Sequence, residues 1–195
     1  MGDTPALRPR VTQARRVEIA SVAVDVLREV GYEALTMDAV AARARCSKGT
    51  LYRLWSDKAQ LVATGLREVK PWHGTEIDTG TLRGDLRELC EHIVADIEQD
   101  TLLVAGVAHA ALVDAKLTAA VRDSLFEPQT ARMQQLIERA VVRGELTRIP
   151  PVLGLLPGLV LGCLVFRPLV DDGAFTDREL AHRFVDEILL PVIMS

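Results

Sequence analysis

The stretch from Thr36 to Lys58, TMDAVAARARCSKGTLYRLWSDK, constrains the fold more than any other part of the chain. Its pattern predicts a short helix, a tight turn and a second short helix, because apolar residues recur where two steeply crossing helices bury side chains against each other. Thr36 and Ser47 stand where N-caps belong, each with a hydroxyl that can accept from a free backbone N–H. The stretch therefore predicts a helix-turn-helix, which places one helix in the major groove of DNA.

The same residues resemble the DNA-binding domain of the TetR family of bacterial transcriptional regulators. The resemblance rests on Thr36, the run Ser47–Tyr52, Trp55 and the run Ser56–Lys58. The chain departs from the family pattern at Arg45, where the family usually has glycine. A left-handed backbone conformation costs a non-glycine residue roughly 1 kcal/mol. Arg45 therefore predicts a slightly strained turn or one with different dihedral angles, and it could add a phosphate contact.

The resemblance and the geometry of a helix in the major groove together imply roles for the second short helix. Lys48 and Arg53 can donate to guanine O6 and N7, and each such contact contributes about 1–3 kcal/mol of discrimination. Gly49 lets the backbone approach the bases, and the methyl group of Thr50 can contact a thymine methyl group.

Other residues of the stretch are expected to bind phosphates, which positions a protein without reading the sequence. These are Thr36, Tyr52 and Lys58, with Arg45 as the further candidate. For the adjacent pair Arg15 and Arg16, two readings stay open: a grip on a neighbouring phosphate, or a solvated surface.

Composition and charge favour an all-α protein with a basic amino-terminal part. The 195 residues are 49% hydrophobic but only 4% aromatic, so Leu, Val, Ala and Ile must build the core. The net charge of −4 alone argues against nucleic acid. However, residues 1–70 contain 12 Lys/Arg and 8 Asp/Glu, whereas the other residues contain 11 and 19. A basic part on an acidic body is the electrostatic footprint of a modular DNA binder.

Breaker residues and helical periodicity divide the chain into three parts. We expect a flexible basic arm at 1–11, a DNA-binding domain at 12–70 and a ligand-binding and dimerisation domain at 71–195, with about nine helices in all. Gly31 is expected to end the first helix, and the stretch 71–80, PWHGTEIDTG, marks the boundary. The run TLRGDL at 81–86 resembles one subgroup of the family's ligand domain. The expected helices are 12–30, 57–69, 81–97, 102–113, 116–125, 128–143, 151–167 and 177–193.

The carboxy-terminal part carries the expected dimer face and ligand pocket. Three glycines spaced four apart lie on nearly one helix face, and the resemblance implies that the last two helices pair with their copies; an internal core helix is the alternative. The dimer set is Gly154, Gly158, Gly162, Leu180, Phe184 and Ile188. The pocket set is Leu103, His109, Met133, Leu136 and Phe166. The uncharged run 149–166 approaches the roughly 20 residues of a membrane span, but its three prolines disfavour one.

The scattered histidines and cysteines carry weaker hypotheses. His92, Asp96 and His109 could form a metal site, but polar groups in a pocket or on the surface are favoured, so no metal or cofactor is expected. Cys46 could sense oxidants, although its packing position argues against that role. Three widely spaced cysteines indicate reduced thiols in a cytoplasmic protein, and the first ten residues lack the apolar region of a secretory signal.

These features predict a homodimeric, ligand-responsive transcriptional regulator, usually a repressor by the resemblance. Two recognition helices would enter successive major grooves of a pseudo-palindromic double-stranded operator, about 34–36 Å apart, and a small-molecule effector would change their separation. A ligand-independent architectural DNA binder is the first alternative. A helical enzyme is the second, although the sequence shows no glycine-rich phosphate loop, no His-Glu-x-x-His and no nucleophile–base pair.

Overall fold

The computed structural model describes residues 11–69, 76–165 and 178–195, without the side chains of 96–99, 101, 164 and 165. Residues 1–10 of the expected basic arm, half of the breaker-rich stretch and Phe166 lie outside these ranges. Within them the chain is all-α and contains no strand, which confirms the predicted fold class.

Four helices form the amino-terminal part, and their bounds follow local sequence signals closely. They are α1 (Gln13–Ala34), α2 (Met37–Arg43), α3 (Lys48–Leu54) and α4 (Lys58–Val69). Gly31 interrupts the helical dihedrals of α1 with a φ of 74°, a conformation that glycine adopts without steric cost. The regular part of the first helix therefore ends where the sequence predicted.

The remaining helices include one that is longer than expected. They are α5 (Leu82–Val113), α6 (Ala115–Val121), α7 (Glu127–Val142), α8 (Leu156–Val165), α9 (Arg178–Phe184) and α10 (Leu190–Met194). π-helical turns join α6 to α7 and α9 to α10, and a 3-10 turn, Pro151–Leu155, leads into α8. The helices predicted at 81–97 and 102–113 are one helix with a kink at Asp100, where φ is −137° and ψ is 31°.

Two hydrophobic cores share the long helix α5, and the kink separates its two contributions. The first core contains residues of α1–α4 together with Leu103, Val107 and Ala110 of α5 and Leu117 of α6. The second core contains the first half of α5 and residues of α7, α8, α9 and α10. The cores therefore do not separate at residues 70 and 71 of the sequence, since the second half of α5 belongs with the amino-terminal helices.

The run TLRGDL forms the start of α5, and each of its conspicuous residues has a structural reason. Thr81 caps the helix, its hydroxyl accepting from the backbone N–H of Gly84 at 3.1 Å. A Cβ on Gly84 would lie 2.1 Å from Thr79 Oγ1, so any larger residue would force Thr79 to move. Asp85 is fully buried and accepts from the backbone N–H of Thr79 at 2.7 Å and from Arg143 Nη2 at 3.0 Å.

Candidate nucleic-acid interface

Helices α2 and α3 form the predicted helix-turn-helix, and both predicted caps are present. The Thr36 hydroxyl accepts from the Ala39 N–H at 3.1 Å, and the Ser47 hydroxyl accepts from the Thr50 N–H at 3.1 Å. Leu51 is the fully buried residue of α3 and anchors it in the first core. The burial of one face of α3 leaves its other face available for contacts with another molecule.

Most of the predicted DNA-binding residues are exposed to solvent. Six of the eight are exposed: Thr36, Arg45, Lys48, Gly49, Tyr52 and Arg53. Thr50 is half-buried, with its hydroxyl 2.9 Å from that of Ser47, and Lys58 is half-buried at the start of α4. The six exposed residues, which we call the HTH surface, therefore combine cations, a phenol and accessible backbone.

Arg45 adopts the strained conformation that its sequence position predicted. Its φ is 49°, and it is the one non-glycine residue with a positive φ in the described part of the chain. The carbonyl groups of this turn are held from α1, because Arg15 Nη2 lies 2.5 Å from the Ala44 oxygen and 3.4 Å from the Arg45 oxygen. Arg15 also pairs with Glu18 at 2.5 Å.

Arg16 is likewise engaged inside the protomer. Its Nε donates to Glu68 Oε1 at 2.8 Å, and its guanidinium carbon lies 5.5 Å from the centroid of the Trp55 ring. Trp55, directly after α3, is 1% exposed. Arg15 and Arg16 therefore fasten α1 to the helix-turn-helix and to α4, which neither reading from the sequence anticipated. The partners lie 29 and 52 residues away, so no local pattern could indicate them.

Lys58 also has an internal role that its position in the sequence did not show. Its Nζ donates to the backbone oxygens of Tyr32 at 3.0 Å and Glu33 at 3.4 Å. The same ammonium lies 4.3 Å from the centroid of the Tyr32 ring, a cation–π distance. Two of its three donors therefore satisfy carbonyl groups at the end of α1, and the predicted phosphate contact remains a prediction for the third.

An acidic residue stands beside the cations of the HTH surface. Asp38 Oδ2 lies 2.6 Å from Lys48 Nζ, and the hydrogen bond that the ammonium donates to this carboxylate raises the pKa of Lys48. Arg43 pairs with Glu29 of α1. Burial raises the pKa of the half-buried Cys46 thiol, which disfavours the thiolate that reacts with oxidants.

Two contacts connect α1 to the kink and the end of α5. Arg28 Nε and Nη2 donate to the two Asp100 oxygens at 2.6 and 2.9 Å. The Tyr32 hydroxyl donates to Asp114 Oδ2 at 2.8 Å, while the other Asp114 oxygen caps α6. Through these two contacts α1 is joined directly to α5.

The residues predicted to line one ligand pocket do not lie together. Met133 and Leu136 are buried in the second core, but Leu103 is buried in the first. His109 is exposed on the outer side of α5. Leu103 and His109 lie apart from Met133 and Leu136 because α5 is shared by two cores and turns successive faces toward different neighbours. The pocket set stays a prediction. No group of His, Cys, Asp and Glu among the described residues could hold a metal ion.

The predicted dimer set is partly accessible. Gly158 and Gly162 are exposed on α8, while Gly154 lies in the preceding 3-10 turn, and a Cβ on any of the three would meet no atom within 4 Å. Ile188 is 42% exposed, whereas Phe184 is 5% exposed and belongs to the second core. Leu180 is half-buried.

Membrane insertion receives no support from the helices. None of those in the described ranges combines the length and the apolar character that a bilayer span requires.

Comparisons with known proteins cover both parts of the chain. Residues 19–64 match the family model of bacterial regulatory proteins of the tetR family, and residues 76–188 match the tetracyclin repressor-like C-terminal domain. An uncharacterized HTH-type transcriptional regulator of Mycobacterium tuberculosis is 34% identical over 191 residues, which is 94% of this chain and 90% of the relative. The DNA-binding transcriptional repressor TetR of Mycobacteroides abscessus is 31% identical over 189 residues, 93% of this chain and 95% of that one.

Solved structures show the same fold. A TetR-family regulator from Rhodococcus sp. superposes with a TM-score of 0.74 at 19% identity, covering 94% of this chain and 100% of the other. Bacillus subtilis FadR in complex with stearoyl-CoA superposes with a TM-score of 0.65 at 16% identity, covering 86% of this chain and 96% of the other. Together with the helix-turn-helix geometry and the family matches in both parts, these likenesses establish that the chain belongs to the TetR family of helix-turn-helix transcriptional regulators.

Proposed function

We propose that this regulator is a homodimeric repressor that binds a pseudo-palindromic operator through α3 and is released by a small molecule. The observation that carries the proposal is the division of α3 into two faces. Leu51 is buried in the first core, whereas Lys48, Tyr52 and Arg53 are exposed on a helix that is capped at its start. Such a helix can enter a major groove without disturbing the core beneath it.

Selection from a random pool of duplex oligonucleotides at about 50 mM salt tests the DNA-binding part. We expect enrichment of a site with two-fold symmetry. In the selected site, Arg53→Ala should relax the preference at particular base pairs, because arginine reads guanine directly. Arg45→Ala should instead weaken all duplexes about equally and lower the salt slope by about one. Failure of the wild-type protein to enrich any sequence would refute the proposal.

The dimer is proposed to form on the side of the 3-10 turn, α8 and α10. The 3-10 turn exposes Leu155, α10 exposes Met194, and the π-helical turn before α10 exposes Ile188. The glycine positions of the 3-10 turn and α8 are open, and α10 packs against the 3-10 turn. Exposed apolar clusters of this kind mark interaction surfaces. Leu155 and Met194 were missing from the sequence-based set because their exposure depends on how α10 packs against the 3-10 turn.

The substitution Gly158→Leu separates association from folding. Because a side chain at Gly158 meets open space in the protomer, the variant should stay folded and gain helix propensity, yet it should sediment as a monomer. Gly106→Leu is the matched control, since Gly106 is also exposed on a helix with no atom within 4 Å. A Gly158→Leu protein that sediments as a dimer would remove this face from the proposal.

The effector is proposed to bind among the apolar residues of the second core, beside Met133 and Leu136 of α7. Linkage requires that an effector which releases DNA bind more weakly to the DNA-bound protein. A panel of small molecules should include a long-chain acyl-CoA, because stearoyl-CoA is bound by the Bacillus subtilis FadR structure. We expect one chemical class both to raise the melting temperature and to lower affinity for the selected duplex, whereas an architectural DNA binder would respond to none.

A further inference from the structure

One ion pair on the HTH surface is unusual because its acid would face the phosphates of DNA. Asp38, in the first turn of α2, lies 2.6 Å from Lys48 at the start of α3. The side chains of Lys48 and Asp38 are 61% and 60% exposed. Exposed ion pairs of this kind contribute little to folding stability. The pair therefore needs an explanation other than holding α2 against α3.

The carboxylate of Asp38 is paired with the ammonium group of Lys48, which is the group proposed to bind a base. While Lys48 remains paired with Asp38, a phosphate must compete with a carboxylate at hydrogen-bonding distance for the same charge. A guanine edge offers two acceptors in the major groove, and such a contact discriminates against a wrong base by roughly tenfold or more. A guanine acceptor that lies within hydrogen-bonding distance of Lys48 can replace the carboxylate as its partner. The phosphates of a duplex without that guanine attract Lys48 but replace the carboxylate less well.

We propose that Asp38 is a specificity-determining residue, which restrains Lys48 so that its ammonium moves to DNA only where base acceptors replace the carboxylate. This inference rests on the proposed DNA-binding function and assigns to Asp38 a role in its specificity. Asp38 acts through Lys48 and has no base contact of its own in this mechanism. Repulsion between Asp38 and phosphates applies to every duplex alike, and it therefore cancels in the ratio of affinities for two duplexes.

The experiment measures that ratio by fluorescence anisotropy for the selected duplex and a scrambled duplex of equal length. In Asp38→Asn the scrambled duplex should bind more tightly, and the ratio of specific to non-specific affinity should fall by roughly three- to tenfold. Asp38→Glu retains the charge within reach of Lys48, so it should largely preserve the ratio. Thermal unfolding of each variant shows whether the fold is intact.

Two controls separate this role from a general effect of charge. Asp123→Asn removes one carboxylate from a comparably exposed pair, with Arg122 at 3.2 Å and side chains 63% and 61% exposed, and should leave the ratio unchanged. In a Lys48→Ala background, Asp38→Asn should also leave the ratio unchanged, because the partner through which Asp38 acts is gone.

The outcomes distinguish the inference from the function on which it rests. A wild-type protein that prefers one duplex, with the same ratio in Asp38→Asn, overturns the role of Asp38 alone. An equal fall of the ratio in the Lys48→Ala background also overturns it, because Asp38 would then act without Lys48. A wild-type protein that binds all duplexes equally refutes the proposed function together with the inference.

Discussion

Arg45 combines a backbone cost with an exposed charge in the turn of the helix-turn-helix. Its φ of 49° lies in the left-handed region, where a side chain approaches the following carbonyl oxygen. Arg15 donates to the carbonyl groups on both sides of the bend. The turn is thus held from α1 rather than relaxed by glycine, and the guanidinium of Arg45 stays exposed.

The substitution Arg45→Gly should raise the free energy of unfolding by about 0.5–1 kcal/mol, since glycine removes the left-handed strain but adds entropy to the unfolded chain. Arg45→Ala removes the same guanidinium and keeps the strain, so it should not stabilise. Both variants should bind DNA more weakly than wild type. Urea unfolding measures the change in stability, and anisotropy titrations measure the change in DNA affinity. Equal stability of the two variants would contradict backbone strain at Arg45.

The Tyr32 hydroxyl holds the pKa of Asp114 below its ordinary value, and backbone donors of Leu117 and Lys116 lower it further. A carboxyl with a depressed folded pKa contributes stability above its unfolded pKa, and that stability is lost as the pH falls through the folded pKa. Tyr32→Phe should therefore raise the Asp114 pKa part of the way and flatten the loss of stability in acid. Carbon-13 NMR titration of the Asp114 carboxyl measures the shift, and an unchanged value would exclude the hydrogen bond.

At the scale of elements, helix α5 contains two glycines with opposite roles. Gly84 lies under Thr79 with no room for a methyl group, whereas Gly106 is exposed in the same helix with no atom within 4 Å. The first glycine is required by a close approach, and the second only weakens the helix.

Gly84→Ala should therefore lower the free energy of unfolding by about 1–3 kcal/mol, because Thr79 and its hydrogen bond to Asp85 must move. Gly106→Ala should raise it by about 0.5–1 kcal/mol through helix propensity. Urea denaturation of the two variants measures both changes. Two changes of the same sign would show that Gly84 is not sterically constrained.

Elements could be predicted from the sequence where their determinants are local. Thr36, Ser47 and Thr81 cap helices through bonds to residues three positions away, so short patterns contain the necessary information. The continuity of α5 through Asp100 could not be predicted, since the partner of Asp100 is Arg28, 72 residues earlier. The positions of Leu103 in the first core and Phe184 in the second could not be predicted for the same reason. Apolar spacing identifies a buried face but not the core in which it is buried.

For the whole molecule, the contact between Arg28 and Asp100 joins the two cores at the kink. The Asp100 side chain is 6% exposed, and both its oxygens accept from the guanidinium. Charge-assisted bidentate bonds of this kind are strong and directional. A movement of α5 that an effector causes would therefore reach α1 directly.

Asp100→Asn should weaken the coupling between the cores and lower overall stability by about 1–3 kcal/mol. In a Trp72→Phe background, fluorescence of Trp55 reports on the first core, while circular dichroism reports on all helices. The two urea transitions should coincide in the parent and separate in Asp100→Asn. Asp25→Asn is the control, because it removes the exposed partner of the same arginine, 2.8 Å away within α1. Coincident transitions in Asp100→Asn would exclude the coupling.

Leu103, Val107 and Ala110 of α5 complete the first core. The helix-turn-helix part is therefore not a module that can be exchanged without α5. A fragment ending near residue 70 would lack the α5 side chains that cover one side of its hydrophobic core. A chimera that grafts residues 12–70 onto another regulator must bring a second half of α5 whose apolar side chains have matching shapes. Evolutionary exchange of operator specificity in this lineage should then proceed by substitutions on α3 more readily than by recombination between whole segments.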